Sequence, residues 1–113
     1  MMGIKSFYES IFYNLISNAL KYKKKEVQLK LTFNVQKSSE KNCTITITDN
    51  GIGMDLLKVG DKIFGFYKRF HPQIEGKGLG LFITKTQIEL MGGTIRVESI
   101  PNIGSTFIID LPI

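Results

Sequence analysis

The 113-residue sequence predicts an α+β fold, a two-layer sandwich with helices on one face of a mostly antiparallel, mixed sheet. Three observations carry this expectation. Apolar residues recur at helical spacing between residues 4 and 22 and again between 81 and 91. They alternate at strand spacing in residues 27–35, 43–48, 94–99 and 106–111. Polar or glycine-rich turns separate the segments in the order helix, strand, strand, long loop, helix, strand, strand.

The first helix is read from the pairs Phe7/Tyr8, Ile11/Phe12, Leu15/Ile16 and Ala19/Leu20. Val27, Leu29, Leu31, Phe33 and Val35 then alternate with polar neighbours as a half-buried strand, and residues 36–42 read as a hairpin loop. Cys43, Ile45 and Ile47 alternate with threonines in a second strand, antiparallel to the first. Asp49 falls in phase with that apolar set, so its carboxylate is expected on the buried face, where an unpaired charge is costly. The turn DNGIG follows at once. Residues 54–77 read as a long loop with a short helix, of a length that usually serves function. After GKGLG the helical pattern returns through Leu81, Phe82, Lys85, Ile88 and Met91, and Gly92-Gly93 closes it. Two last strands flank the turn PNIGS.

Composition narrows the function classes. One domain fits the length, and 42% hydrophobic residues exclude a disordered or collagen-like chain. No apolar run approaches the roughly 18–20 residues that cross a bilayer, and the first ten residues lack a signal-peptide core. A single cysteine, Cys43, and a single histidine, His71, exclude an internal disulfide and a His/Cys zinc cluster, and a reducing cytoplasm suits them. Fifteen Lys and Arg against ten Asp and Glu give a formal charge of +5, and Lys21, Lys23, Lys24, Lys25 and Lys30 crowd one ten-residue stretch. No nucleic-acid motif or aromatic-studded basic surface accompanies them, so they read as a solvated helix end rather than a nucleic-acid site.

Two features suggest chemistry. On a helical wheel of about 100° per residue, Asn18 and Lys21 fall within about 40° of Asn14, beside an apolar stripe centred near 125°. Two amides and an ammonium thus share a narrow polar strip. GKGLG is neither a P-loop nor a dinucleotide fingerprint; it is a helix N-terminus entered through glycines, a setting that suits phosphate.

Four segments in fixed order then resemble the nucleotide-binding boxes of sensor histidine kinases. NLISNALKY from Asn14 is similar to the N box, DNGIGM from Asp49 to the G1 box, FGFYKRF from Phe64 to the F box and GKGLGL from Gly76 to the G2 box. GSTFIIDLP from Gly104 resembles the closing strand. The resemblance covers nearly the whole chain and implies the Bergerat ATP-binding fold shared with gyrase and heat-shock chaperone ATPases.

It implies ATP and Mg²⁺ as ligands and assigns roles. Asp49 would accept a hydrogen bond from the adenine amino group, with Thr106 near the same base through water. Gly51 and Gly53 would let backbone approach the purine, and Ile52 and Tyr22 would line its pocket. Asn18 would ligate Mg²⁺, a hard ion suited to an oxygen donor, with Asn14 and Lys21 beside the triphosphate; these three are the expected catalytic set. Phe64, Tyr67, Lys68 and Arg69 would approach from the lid, and Gly76, Lys77, Gly78, Leu79, Gly80 and Leu81 would form the phosphate turn.

Asn14 stands where the hydrolytic relatives carry a water-activating glutamate, and an amide is no general base. The resemblance therefore implies a kinase domain that delivers the γ-phosphoryl to a histidine on a separate dimerisation and phosphoacceptor domain, upstream of a response regulator receiver domain. A non-catalytic nucleotide-binding module is the alternative. His71 in RFHPQIEGKG has the wrong setting for the acceptor and reads as an exposed lid residue. Residues 1–113 are expected to form one domain truncated at its N-terminus, because family domains open with two strands and only five residues precede this helix. A sheet lacking those strands would expose an edge and invite self-association. No nucleic-acid partner and no direct membrane insertion are expected.

Overall fold

A computed structural model describes residues 2–59, 63–64 and 80–112. Its elements are α1 (Met2–Lys21), β1 (Leu31–Ser39), β2 (Asn42–Asp49), α2 (Leu56–Val59), α3 (Gly80–Leu90), β3 (Thr94–Ile100) and β4 (Gly104–Pro112). The strands form one sheet in the order β1-β2-β4-β3. All three pairings are antiparallel, so among the described residues the sheet is not the mixed one expected.

β2 and β4 lie at its centre and carry the core. Ile45, Ile47, Phe107, Ile109 and Leu111 point from their inner face onto Ile11 and Leu15 of α1 and Leu81 and Ile88 of α3. Burying such side chains contributes about 1.5–3 kcal/mol each, which fixes both helices on this face. No described helix is long and apolar enough to cross a membrane. The expected end of α3 is present: Gly92 N–H donates to the Glu89 carbonyl at 3.0 Å and Gly93 N–H to that of Ile88 at 2.9 Å, the paired bonds of a Schellman motif.

Two boundaries differ from expectation. β1 continues to Ser39, so the hairpin turns tightly at Glu40–Lys41 instead of looping over residues 36–42. Polar residues extend the strand because this edge is exposed and the ladder needs only backbone. Ser39 Oγ accepts bonds from Lys41 N–H at 3.3 Å and Asn42 Nδ2 at 3.2 Å across the turn. At the other end β1 begins at Leu31 rather than Val27, because β2 ends opposite Leu31 at Asp49 and offers residues 27–30 no strand to pair with.

Candidate functional site

The inward phase of β2 sets Asp49 at the end of its buried row, after Ile45 and Ile47. The carboxylate is half-buried, and its Oδ1 accepts from Gly51 N–H at 2.8 Å. Burial pushes the Asp49 carboxyl above its ordinary range, while backbone N–H groups of Gly51 and Ser105 pull partly the other way. Enough of the group remains accessible to receive a donor from outside.

The DNGIG turn is bolted to its surroundings. Ile52 N–H donates to the Tyr22 carbonyl at 2.9 Å, just past the end of α1, and the Ile52 carbonyl accepts from Asn102 N–H at 2.7 Å in the β3–β4 turn. Met54 N–H donates to Ser99 Oγ at 2.8 Å. Gly53 has φ +68°, and a side chain there would run into the Ile100 carbonyl. Gly104, at φ +145°, is closed off by the backbone of Asp49 itself. A Cβ at Gly51 would stand 2.6 Å from the Tyr22 carbonyl oxygen and 3.0 Å from Asp49 Oδ1. The close approach these glycines allow is therefore to the protein's own backbone. Gly51 and Gly53 thus have a role within the fold, beside the expected one of letting backbone approach the purine.

Thr106 needs correction. It pairs with Thr48 in register, its hydroxyl 3.1 Å from that of Thr48, on the sheet face opposite Asp49. The residue registered with Asp49 is Ser105, which is buried. Its hydroxyl lies 2.7 Å from Ser99 Oγ, and Ser99 also donates to the Gly104 carbonyl at 3.0 Å. The signal was present in the sequence. Ser105 shares the phase of Phe107, Ile109 and Leu111, but Ile108 interrupts the alternation and hides it.

On α1, Asn14 and Asn18 are half-buried and Lys21, at the helix end, is exposed, as the wheel predicts. No side-chain hydrogen bond joins these three to another described residue. α3 begins beside them: a Cβ at Gly80 would stand 3.9 Å from Asn14 Oδ1. The N-terminus of α3, the positive end of its dipole, thus meets the amide strip, a combination suited to an anion.

Phe64 and Leu81 belong to the core. The Phe64 ring meets Phe107 edge-to-face at 6.4 Å, with Lys85 Nζ 6.0 Å from its centroid. Leu81, in the first turn of α3, is buried against the sheet. Tyr67, Lys68, Arg69, Gly76, Lys77, Gly78 and Leu79, with His71, lie outside the described residues. Asn50, which neither periodicity nor the box resemblance singles out, bonds through its side chain to the segment after α1.

The arrangement joins an acidic acceptor flanked by a buried serine to a polar helix strip facing a helix N-terminus. Known proteins resemble the chain over nearly its whole length. A family model described as "Histidine kinase-, DNA gyrase B-, and HSP90-like ATPase" matches residues 3–113. Sensor protein RprX of Bacteroides fragilis is 41% identical over 107 residues, covering 92% of this chain and 20% of that protein. Sensor protein kinase WalK of Staphylococcus haemolyticus is 38% identical over 107 residues, covering 90% of this chain and 17% of that protein. The chain thus spans a fifth or less of these two relatives. The mycobacterial sensor histidine kinase MprB shares the fold with TM-score 0.82 and 24% identity, over 95% of this chain and 72% of that one. Full-length ShkA, solved with AMPPNP, superposes with TM-score 0.78 at 22% identity, over 94% of this chain and 21% of that one.

Proposed function

The chain belongs to the histidine kinase-, DNA gyrase B- and HSP90-like ATPase family, and from that premise we propose that it is the ATP-binding catalytic domain of a sensor histidine kinase. The observation that carries the reading is Asp49, a half-buried carboxylate held by backbone N–H groups and still able to accept a donor. A carboxylate acceptor selects the amino group of adenine against the carbonyl of guanine, which would set two acceptors face to face. Ser105 borders the base, and Tyr22 and Ile52 close the turn against it.

At the other end Asn18 offers a hard amide oxygen to Mg²⁺, with Asn14 and Lys21 beside the phosphates. A single neutral amide oxygen fits a metal held mostly by phosphate. Bound Mg²⁺–ATP would supply the transferable γ-phosphoryl. The residues of this chain orient it and offset its charge, the two terms that dominate phosphoryl transfer. Asn14 cannot take a proton from water, which favours delivery to a protein histidine over hydrolysis. Its partners are then a dimerisation domain bearing the phosphoacceptor histidine and, downstream, a receiver domain, with the work done in the cytoplasm. The open edge of β1, where Phe33 and Val35 stand 47% and 65% exposed, offers a place for a second copy to pair.

Phosphoryl transfer in trans tests the proposal. Mixed with Mg²⁺–ATP and the parent's phosphoacceptor domain, the chain should produce acid-labile phosphohistidine on that domain. Nucleotide binding without any phosphohistidine would instead favour a nucleotide-binding module that transfers nothing.

A further inference from the structure

Asn50 bonds to a segment twenty residues away through both ends of its amide. Nδ2 donates to the Gln28 carbonyl at 3.0 Å, and Oδ1 accepts from Lys30 N–H at 2.8 Å. These two backbone groups flank Leu29, and β2 has already ended at Asp49, so no strand is available to satisfy them. The side chain takes the place of the missing ladder. Two positions on, Ile52 N–H donates to the Tyr22 carbonyl. Two residues of the turn, Asn50 and Ile52, therefore grip both ends of the connector formed by residues 22–30. Between the grips lie Lys23, Lys24, Lys25 and Glu26, the last at φ +64°. The first grip borders the site, because the Tyr22 carbonyl and Asp49 Oδ1 approach the same face of Gly51.

We propose that Asn50 is a positioning residue for nucleotide binding: its amide closes the 22–30 connector into a rim that holds Tyr22 beside Asp49. The proposal rests on the reading that Asp49 receives the adenine base. Asn50 itself need not touch the nucleotide. A connector already closed loses little freedom when the base enters, whereas an open one must be ordered at that moment, and binding weakens accordingly.

The test uses the 113-residue chain as wild type, Asn50→Ala and Asn50→Asp, with two readouts. Without nucleotide, trypsin cleavage after Lys23, Lys24 and Lys25 reports whether the connector is closed. Fluorescence titration with a methylanthraniloyl-ATP and Mg²⁺ reports affinity. In Asn50→Ala, which loses both bonds, cleavage should accelerate and affinity should fall, each by about tenfold. Asn50→Asp keeps an acceptor for Lys30 N–H but has no donor for Gln28, and should fall between. Thermal melting should remain cooperative in both variants. Should Asn50→Ala disturb the fold, the aspartate variant decides alone. Unchanged cleavage, or faster cleavage with wild-type affinity, overturns the proposal. A wild-type chain that binds no nucleotide overturns the functional reading, and the proposal with it; binding by wild type and Asn50→Ala alike overturns the clasp only.

Discussion

The two ends of the site are built differently. Around Asp49 each polar group has a partner on the protein: Gly51 N–H on the carboxylate, Tyr22 and Asn102 on Ile52, and Ser99 joined to Met54, Gly104 and Ser105. Along α1, Asn14, Asn18 and Lys21 make no side-chain hydrogen bond to another described residue. The first end is held together within the protein, while at the second the three side chains bond to no other described residue. On the proposed reading, this division gives rigid recognition of the base at one end and exchangeable phosphate contacts at the other.

Substitutions at the two ends should therefore fail differently. The largest effect is expected from Gly104→Ala. Its φ of +145° and the Asp49 backbone against it leave no room for a methyl. Strain of this kind costs about 3 kcal/mol and should lower Tm by more than about 10 °C, measured by calorimetric melting. Asn18→Ala should do the opposite, leaving Tm within about 2 °C because nothing in the described fold depends on that amide. Affinity for AMPPNP in Mg²⁺ should nevertheless drop about tenfold, while affinity in EDTA stays unchanged, since the lost ligand acts through the metal. If Asn18→Ala unfolds the protein, the α1 strip is structural and the contrast fails.

A smaller effect separates the two faces of β4. Ser105→Ala should weaken nucleotide binding by about threefold, the usual worth of one neutral hydrogen bond, while Thr106→Val should leave it unchanged. The reverse result would place the base contact on the outer face, where Thr106 meets Thr48.

The smallest shift concerns acidity. Burial raises the folded-state value of Asp49 above the unfolded one, so the native state holds this proton more tightly. The stability this group contributes is present below the ordinary carboxylate range and is lost as pH rises through the raised value. Binding of adenine needs the ionised form and should strengthen over that same interval. Calorimetric melting at neutral pH should then find Asp49→Asn at or slightly above the wild-type Tm, because the amide still accepts from Gly51 N–H without the cost of a half-buried charge.

Much of this was legible in the chain. Periodicity located both long helices and all four strands, and it aimed Asp49 inward through Ile45 and Ile47; β1 alternates as a half-buried strand would, yet its Phe33 and Val35 are exposed, because no described helix covers this edge of the sheet. The polar strip of α1 followed from helical geometry alone. What escaped depended on pairing. Residues 36–39 look like loop in isolation and are strand because β2 lies beside them. Ser105 and Thr106 differ by one position, and only the register with Asp49 and Thr48 tells which faces the site. Asn50 acts on Gln28 and Lys30 through a contact that no local pattern encodes. Phe64 belongs to a box that resembles a nucleotide motif, yet its ring packs against Phe107.

The role of Asp49 as adenine acceptor, in a site completed by Mg²⁺, is open to isothermal titration of AMPPNP in Mg²⁺ into wild type and Asp49→Asn. Wild type should bind saturably and bind the guanine analogue more weakly, and the variant should lose about a hundredfold or more, about 2.8 kcal/mol, with its fold intact. Equal affinities of the two proteins for the adenine nucleotide would contradict it.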